Sequence, residues 1–337
     1  MNVRGNLPPK AAPLLTALTA LTAGLALVVI APCKAQTAWK PDKVIEFVVG
    51  SSPGGGNDAT ARLMQKIWRD NKWQDNVNVV NKPGAGGALA YTYVSQHAGD
   101  GHFIAVVRKA LLTNEILGRS PLNYREMTPL AVVANEPTAL AVRANSPVKD
   151  IKDLVVRFKA NPQSITTSVG STFGATSHLL LSQVAKIAGA DPRRIKVVTF
   201  RGSNDSVINL LGGHIDLMGS SVDAMVPHHK EGTMRIIGIS SAQRATSLPD
   251  VPTLKDQGYD VVMGNWTAIM GPKGLTPAQV AYWENLLERT FNHPDWKSML
   301  EAGALEADFR KSQATREMLK KDFETERALL TELGMVK

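Results

Sequence analysis

Four stretches of this sequence are built largely from Gly, Ser, Thr and Asn: Ser51 to Asn57, Pro83 to Gly87, Ser171 to Ser177 and Gly202 to Asn204. Each follows a β-prone run and precedes a helix-prone one. At such a junction the first N–H groups of the helix lack internal acceptors, and the helix dipole adds partial positive charge. A carboxylate or phosphate is therefore well received there, and glycine lets it approach the backbone closely. The chemistry on offer is anion binding by backbone groups.

Other chemistries fit less well. Gly54-Gly55-Gly56-Asn57-Asp58-Ala59 matches the G-x-G-x-x-A dinucleotide pattern. However, Asp58 would sit beside the pyrophosphate, and Asn81-Lys82 stands where a ribose-binding acid belongs. No Lys-Ser/Thr pair follows Gly55, which excludes a P-loop. Gly170-Ser171-Thr172-Phe173-Gly174 puts threonine where a nucleophile elbow needs serine. The seven histidines are scattered, and His228-His229 are adjacent rather than at ligand spacing. His178 reads as a packed structural histidine, and Asp58 as an early-helix acid that also has oxygens to offer an amine or a bridging water. No catalytic residue, metal or cofactor is expected.

The elements that must position these turns alternate between strand and helix, the pattern of an α/β fold with mainly parallel sheets. Val44 to Val49, Val77 to Val80 and Phe103 to Val107 read as strands, with helices from Ala59 (Ala59, Leu63 and Ile67 spaced by four) and from Ala88 to His97. A second block repeats the alternation. It has strands at Ser164 to Val169, Lys196 to Phe200, Ile215 to Met218 and Arg235 to Ser240, and helices at His178 to Ala188 and Asp205 to Leu211. Two stretches cross between the blocks: Leu130 to Val142, interrupted by Asn135-Glu136-Pro137, and Ile236 to Ser241. Two crossings predict two lobes, with residues 36–138 plus 243–337 forming the first and 139–242 the second. The helical C-terminal third, with Val280, Trp283, Leu287 and Phe291 on one face, would back the first sheet.

The 337 residues are 44% hydrophobic, 20% charged and 6% aromatic, with net charge +8 and one cysteine. That composition excludes disordered, collagen-like and disulfide-stapled proteins. The one long apolar run, Leu14 to Ala31, follows Arg4 and Lys10 and precedes Pro32-Cys33-Lys34-Ala35-Gln36, the layout of a signal peptide over residues 1–35. The leader carries Arg4, Lys10 and Lys34 and no acid, so cleavage lowers the charge from +8 to +5. The mature chain then has no cysteine, and no basic-aromatic pattern suggests nucleic acid.

The ordered motifs Pro53-Gly54-Gly55-Gly56-Asn57-Asp58, Asn81-Lys82-Pro83-Gly84-Ala85-Gly86-Gly87, Leu210-Leu211-Gly212-Gly213-His214-Ile215-Asp216 and Leu248-Pro249-Asp250-Val251-Pro252-Thr253 span residues 40 to 337. In these the chain resembles the extracytoplasmic solute receptors of the tripartite tricarboxylate transporter family, also called Bug receptors. The resemblance implies a two-lobed periplasmic binding protein-like α/β fold of the second topological type, without catalysis, closing on a small carboxylate. It implies a periplasmic monomer that hands a di-, tricarboxylate or aromatic acid to integral membrane transporter subunits. A ligand-sensing role toward a membrane kinase and an exported NAD-dependent oxidoreductase are the alternatives. Carried onto this sequence, the first-lobe ligand residues are Ser51, Gly54, Gly55 and Asp58 with Gly84, Gly86 and Gly87. The second-lobe candidates are Ser171, Thr172, Thr176, Arg201, Ser203 and Asn204, with Ser220, Ser221 and Asp223 beyond a later strand. Phe200-Arg201-Gly202-Ser203-Asn204-Asp205 and Gly219-Ser220 depart from the family pattern on the specificity side. Arg201 has two readings, a bidentate clamp on a second carboxylate or an ion-pair partner of Asp205.

Overall fold

The computed structural model describes Met1, residues 39–169, 173–200 and 203–336. The leader lies outside the described residues, as do the expected ligand residues Ser171, Thr172 and Arg201. Among the described residues no helix is long and apolar enough to cross a membrane.

The chain runs β1 Ile45–Val49, α1 Gly56–Asp70, β2 Val77–Asn81, α2 Ala88–Ser95, β3 Phe103–Arg108 and α3 Ala110–Ile116. Strand β4, Met127–Arg143, crosses into a second half. There α4 Ile151–Ala160, β5 Thr166–Val169, α5 Thr176–Ile187, β6 Lys196–Val198, α6 Ser203–Leu211, β7 Leu217–Ser221, α7 Val226–Lys230 and β8 Met234–Ile239 follow. The chain returns through β9 Gly264–Pro272 and ends with α8 Pro277–Phe291, α9 Pro294–Ala302, β10 Arg310–Lys311 and α10 Ser312–Glu332.

The two halves share one strand plan. The first has the order β2-β1-β3-β9-β4 and the second β6-β5-β7-β4-β8. In each, the second, first and third strands are followed by the strand arriving from the other half, then by the strand leaving for it. The α/β, two-lobed expectation holds.

Helices cover both faces of each half, so the strands read as near-continuous apolar runs. In the first half Phe47 stacks on Trp68 at 5.6 Å, and the Trp68 indole N–H donates to Thr290 Oγ1 at 2.6 Å, fixing α1 and α8 to the sheet. Trp68, Trp283 and Trp296 are fully buried, each contributing on the order of 2–3 kcal/mol by area. The buried stripe of α1 is Ala61, Met64, Ile67 and Trp68. Ala59, expected on that stripe, is exposed because at 3.6 residues per turn it lies on the face of α1 opposite Ala61, Met64 and Trp68.

The second crossing differs from its expected boundary. Ser240 N–H still donates to Thr138 O at 2.8 Å. Beyond it, however, Leu248 and Val251 join the core of Met218 and Ile236, and Leu254 and Val261 that of Leu180 and Ile237. Apolar residues spaced through a turn-rich stretch hold it against the second half until β9 begins at Gly264.

Candidate functional site

Strand register fixes where the halves meet. Pro137 of β4 pairs with Gly264, and the next residue, Thr138, pairs with Ser221. Arg108, at the end of β3, pairs with Thr267, which pairs with Ala134. Val169, at the end of β5, pairs with Gly219, which pairs with Leu140. The carboxyl ends of both parallel sets therefore converge on the middle of β4, where ligands of open α/β sheets bind. Between Met127 and Val142 only Asn135 and Glu136 are less than fully buried. Solvent reaches the crossing strand at that one point.

The first two turns are packed together. A Cβ on Gly50 would lie 2.7 Å from the Cα of Gly87, and one on Gly87 would lie 2.5 Å from the Tyr91 hydroxyl, so only glycine fits at either place. Gly86 and Gly87 also have φ of +62° and +94°. Asp58, buried in the first turn of α1, accepts from Gly54 N–H at 2.9 Å, Arg62 Nε at 2.8 Å and Asn81 Nδ2 at 2.9 Å. Asn81 also donates to Ser51 O at 3.0 Å. The Arg62 hydrogen bond is the main cause that holds the Asp58 pKa down at about 2, with Gly54 and Asn81 adding to it against a cost of burial. Its oxygens are committed to bracing the turn, leaving the carboxylate little to offer a ligand. Ser51 Oγ is buried without a hydrogen-bond partner among the described residues, the kind of group that calls for an acceptor or donor from elsewhere. Gly54, Gly55 and Gly84 lie at the rim, Gly54 and Gly84 fully exposed.

In the second half His178 Nδ1 accepts from Gly174 N–H at 3.0 Å. Burial lowers the His178 pKa to about 4, which keeps the ring neutral and able to accept. The histidine is a brace for the third turn. Ser203 Oγ and Ser220 Oγ share a hydrogen bond of 2.7 Å, joining the turn after β6 to the end of β7. Ser221 pairs across to the crossing strand, while Asn204 and Asp223 are exposed.

A cavity of about 490 Å³ lies where these edges converge. Gly86 and Thr176, both expected, line it from opposite halves, and Ala85 and Ala175 sit beside them. The remaining described candidates do not line it. Arg108, Lys109, Asn114 and Asn265 also line it, and sequence reasoning missed all four. The available signal was topological: Arg108-Lys109 follows the third parallel strand, the position the glycine turns occupy after the first two. Arg108 donates through Nη1 to Thr267 Oγ1 at 2.8 Å and through Nη2 to the carboxylate of Glu136. Burial lowers its pKa to about 10, so it stays charged. Lys109 Nζ pairs with Glu326 at 3.0 Å and Asp322 at 3.7 Å, whose charges outweigh burial and raise its pKa. Three cations thus line the cavity, Arg119 being the third, with acids behind the first two.

A larger cavity, about 700 Å³, lies against Asn135 and Pro137 between residues 241–247 and 297–310. By the period of two along a strand these side chains face away from Glu136. None of the described residues of the glycine-rich turns lines it. Among the described residues no group of three His, Cys, Asp or Glu is placed to hold a metal ion.

Helix starts differ systematically with position. Helices α1, α2 and α5 follow strand carboxyl ends, begin after Gly55, Gly87 and Ala175, and have no side-chain cap. Helices α4, α8 and α9, which start elsewhere, are capped by Asp150, by Thr276 in a full capping box with Gln279, and by His293. The Ser312 N–H at the start of α10 is taken by Glu284 Oε1 at 2.7 Å. At α2 the preceding turn Ala85–Gly87 already takes the Gly87 and Ala88 N–H groups, through Gly84 O and Ala85 O, so first-turn donors are left open at α1 and α5.

The family model described as "Tripartite tricarboxylate transporter family receptor" matches residues 61–335. The protein BugT of Bordetella pertussis is 29% identical over 289 residues, 84% of each chain. A TctC solute binding protein from Polaromonas superposes with a TM-score of 0.76 at 24% identity, covering 87% of this chain and all of that one. An R. palustris protein solved with adipate superposes with a TM-score of 0.74 at 22% identity, covering 88% of this chain and 99% of that one.

Proposed function

The chain belongs to the tripartite tricarboxylate transporter receptor family, and from that premise we propose that it captures a small organic carboxylate between its two lobes and presents it to membrane transporter components. The family is one of solute receptors, not enzymes. The observation that carries the ligand class is the pair of uncapped helix starts at α1 and α5, one from each half, at strand carboxyl ends. In this reading the first-turn N–H groups of α1, behind Gly55, and those of α5, with Gly86, Ser51 and Thr176, hold one carboxylate, and the Gly54 N–H, already bound to Asp58, belongs with Asp58 and His178 to the bracing of the turns. Ser203, Asn204, Ser220, Ser221 and Asp223 shape the wall from the second lobe, as would Ser171, Thr172 and Arg201. The solved relative with adipate supports an aliphatic acid. The leader over residues 1–35 would export the chain to the periplasm. The lobes would be 36–138 plus 243–337 and 139–242, the packing of Leu248 to Val261 favouring a second lobe that extends to the start of β9.

Closure follows from linkage: a ligand contacting both lobes prefers the closed state and shifts the population toward it. A thermal-shift panel of aliphatic and aromatic carboxylates tests the reading. Ligand at a hundred times its Kd stabilises by about 2.7 kcal/mol, a shift of several degrees for a chain of this size. A subset of acids is expected to produce it, and silence across a broad panel overturns the reading.

A further inference from the structure

We propose that Arg108 reads a second anionic group on the ligand, which deepens the carboxylate reading above and rests on it. The residue lines the cavity with its side chain 19% exposed, at the carboxyl end of β3. A guanidinium has five N–H donors. The two described bonds, to Thr267 and Glu136, use one hydrogen each on Nη1 and Nη2. Nε and one hydrogen on each terminal nitrogen therefore have no acceptor among the described residues and remain to be offered to a carboxylate.

The protein fixes the guanidinium from behind. Thr267 on β9 and Glu136 on β4 are the two crossing strands, so its position is set by the most constrained backbone of the molecule. Asn265 Nδ2 reaches the same Glu136 oxygen at 3.5 Å. Neighbouring Lys109 is different: Glu326 and Asp322 on α10 hold its ammonium in ion pairs. The second lobe contributes one acid whose charge reaches Arg108, the exposed Asp223. Its negative charge opposes an incoming anion. Gly86 and Thr176 lie on the wall of the same cavity, whose volume suits one small ligand. A single molecule with two acid groups can then hold the helix starts with one and Arg108 with the other.

Calorimetric titration of the full chain with length-matched acids tests this: succinate against butyrate, and adipate against hexanoate. The wild type is expected to favour the dicarboxylate of at least one pair. Arg108→Gln is expected to lower that dicarboxylate's affinity at least about tenfold while changing the monocarboxylate less than about threefold, collapsing the ratio. Arg108→Lys keeps the charge without the fork and is expected to fall between. Asp223→Asn is expected to tighten the dicarboxylate alone. An equal loss for both acids in Arg108→Gln, or an unchanged ratio, overturns the assignment. Preference of the wild type for monocarboxylates overturns it while leaving the carboxylate reading intact, and wild-type silence toward both series removes that reading and the assignment with it.

Discussion

Helices α1 and α8 are equally long, 15 residues each, and pack against each other, yet their first turns are built oppositely. Helix α8 opens with Thr276, whose hydroxyl accepts from Gln279 N–H while Gln279 reaches back to Thr276 N–H at 2.7 Å, so two orphan donors are satisfied. Helix α1 opens with Gly55, which has no side chain to offer. A cap typically contributes about 0.5–2 kcal/mol, and α4 and α9 have one as well. Forgoing it at α1 and α5 leaves donors that a ligand can satisfy instead. The difference teaches that stability and binding draw on the same N–H groups, which are divided by location.

Filling a vacant cap should break the comparison most strongly. Ala175 has φ of −63° and ψ of 159°, the extended geometry of a capping residue. Ala175→Asp is therefore expected to cap α5, raising stability by about 1 kcal/mol, and to place a negative charge where the ligand's belongs. Affinity should drop at least about a hundredfold, as much as two lost charge-assisted bonds. Chemical denaturation and titration of the same variant read both effects.

Next in size is the brace under the first turn. Asp58→Asn removes a charge that receives Arg62, Gly54 and Asn81, a loss expected to cost about 2–3 kcal/mol in urea unfolding and to loosen ligand binding with it. The sign of its pH dependence follows from a folded pKa of about 2 below the ordinary 3.8. The Asp58 contribution is complete above about pH 4 and is lost as pH falls toward 2.

Removing an existing cap should act on one side of the comparison only. Asp150→Ala and Thr276→Ala are each expected to cost about 1 kcal/mol of stability and to leave ligand affinity unchanged. Matched denaturation and titration check this. A loss of affinity in either would mean that the outward starts are not independent of the site.

The smallest effect concerns His178. Its pKa, lowered by burial from 6.5 to about 4, favours the neutral folded form, so the unfolded chain takes up the proton first. Stability should decline as pH falls from about 6.5 to 4. Replacing His178 with Gln, which retains an acceptor for Gly174 N–H, should flatten that slope in a pH series of melting curves.

The glycine-rich turns were legible because Gly, Ser and Asn punctuate strand-helix junctions locally, and so was the alternation that places them at sheet edges. Arg108 and Asn265 were not, because only the order β3-β9-β4 brings residues more than 150 positions apart into one wall. Asp58 was legible as an early-helix acid, but its role as a brace depends on Asn81, which arrives from the next strand. The packing of Leu248, Val251 and Leu254 against the second half was not legible for a related reason: they have no strand or helix period, so their attachment appears only in three dimensions. Ala59 is apolar and four residues from Leu63, but the face that packs is centred on Ala61, Met64 and Trp68, and which face meets the sheet is set by tertiary packing.

The most direct test of the central claim is a crystal structure of the chain with whichever carboxylate stabilises it most. The account predicts a carboxylate within hydrogen-bond distance of backbone N–H groups at the starts of α1 and α5, in the cavity lined by Gly86 and Thr176. A carboxylate bound in the larger cavity behind Asn135 and Pro137, or held by side chains alone with those helix starts solvated, would contradict it.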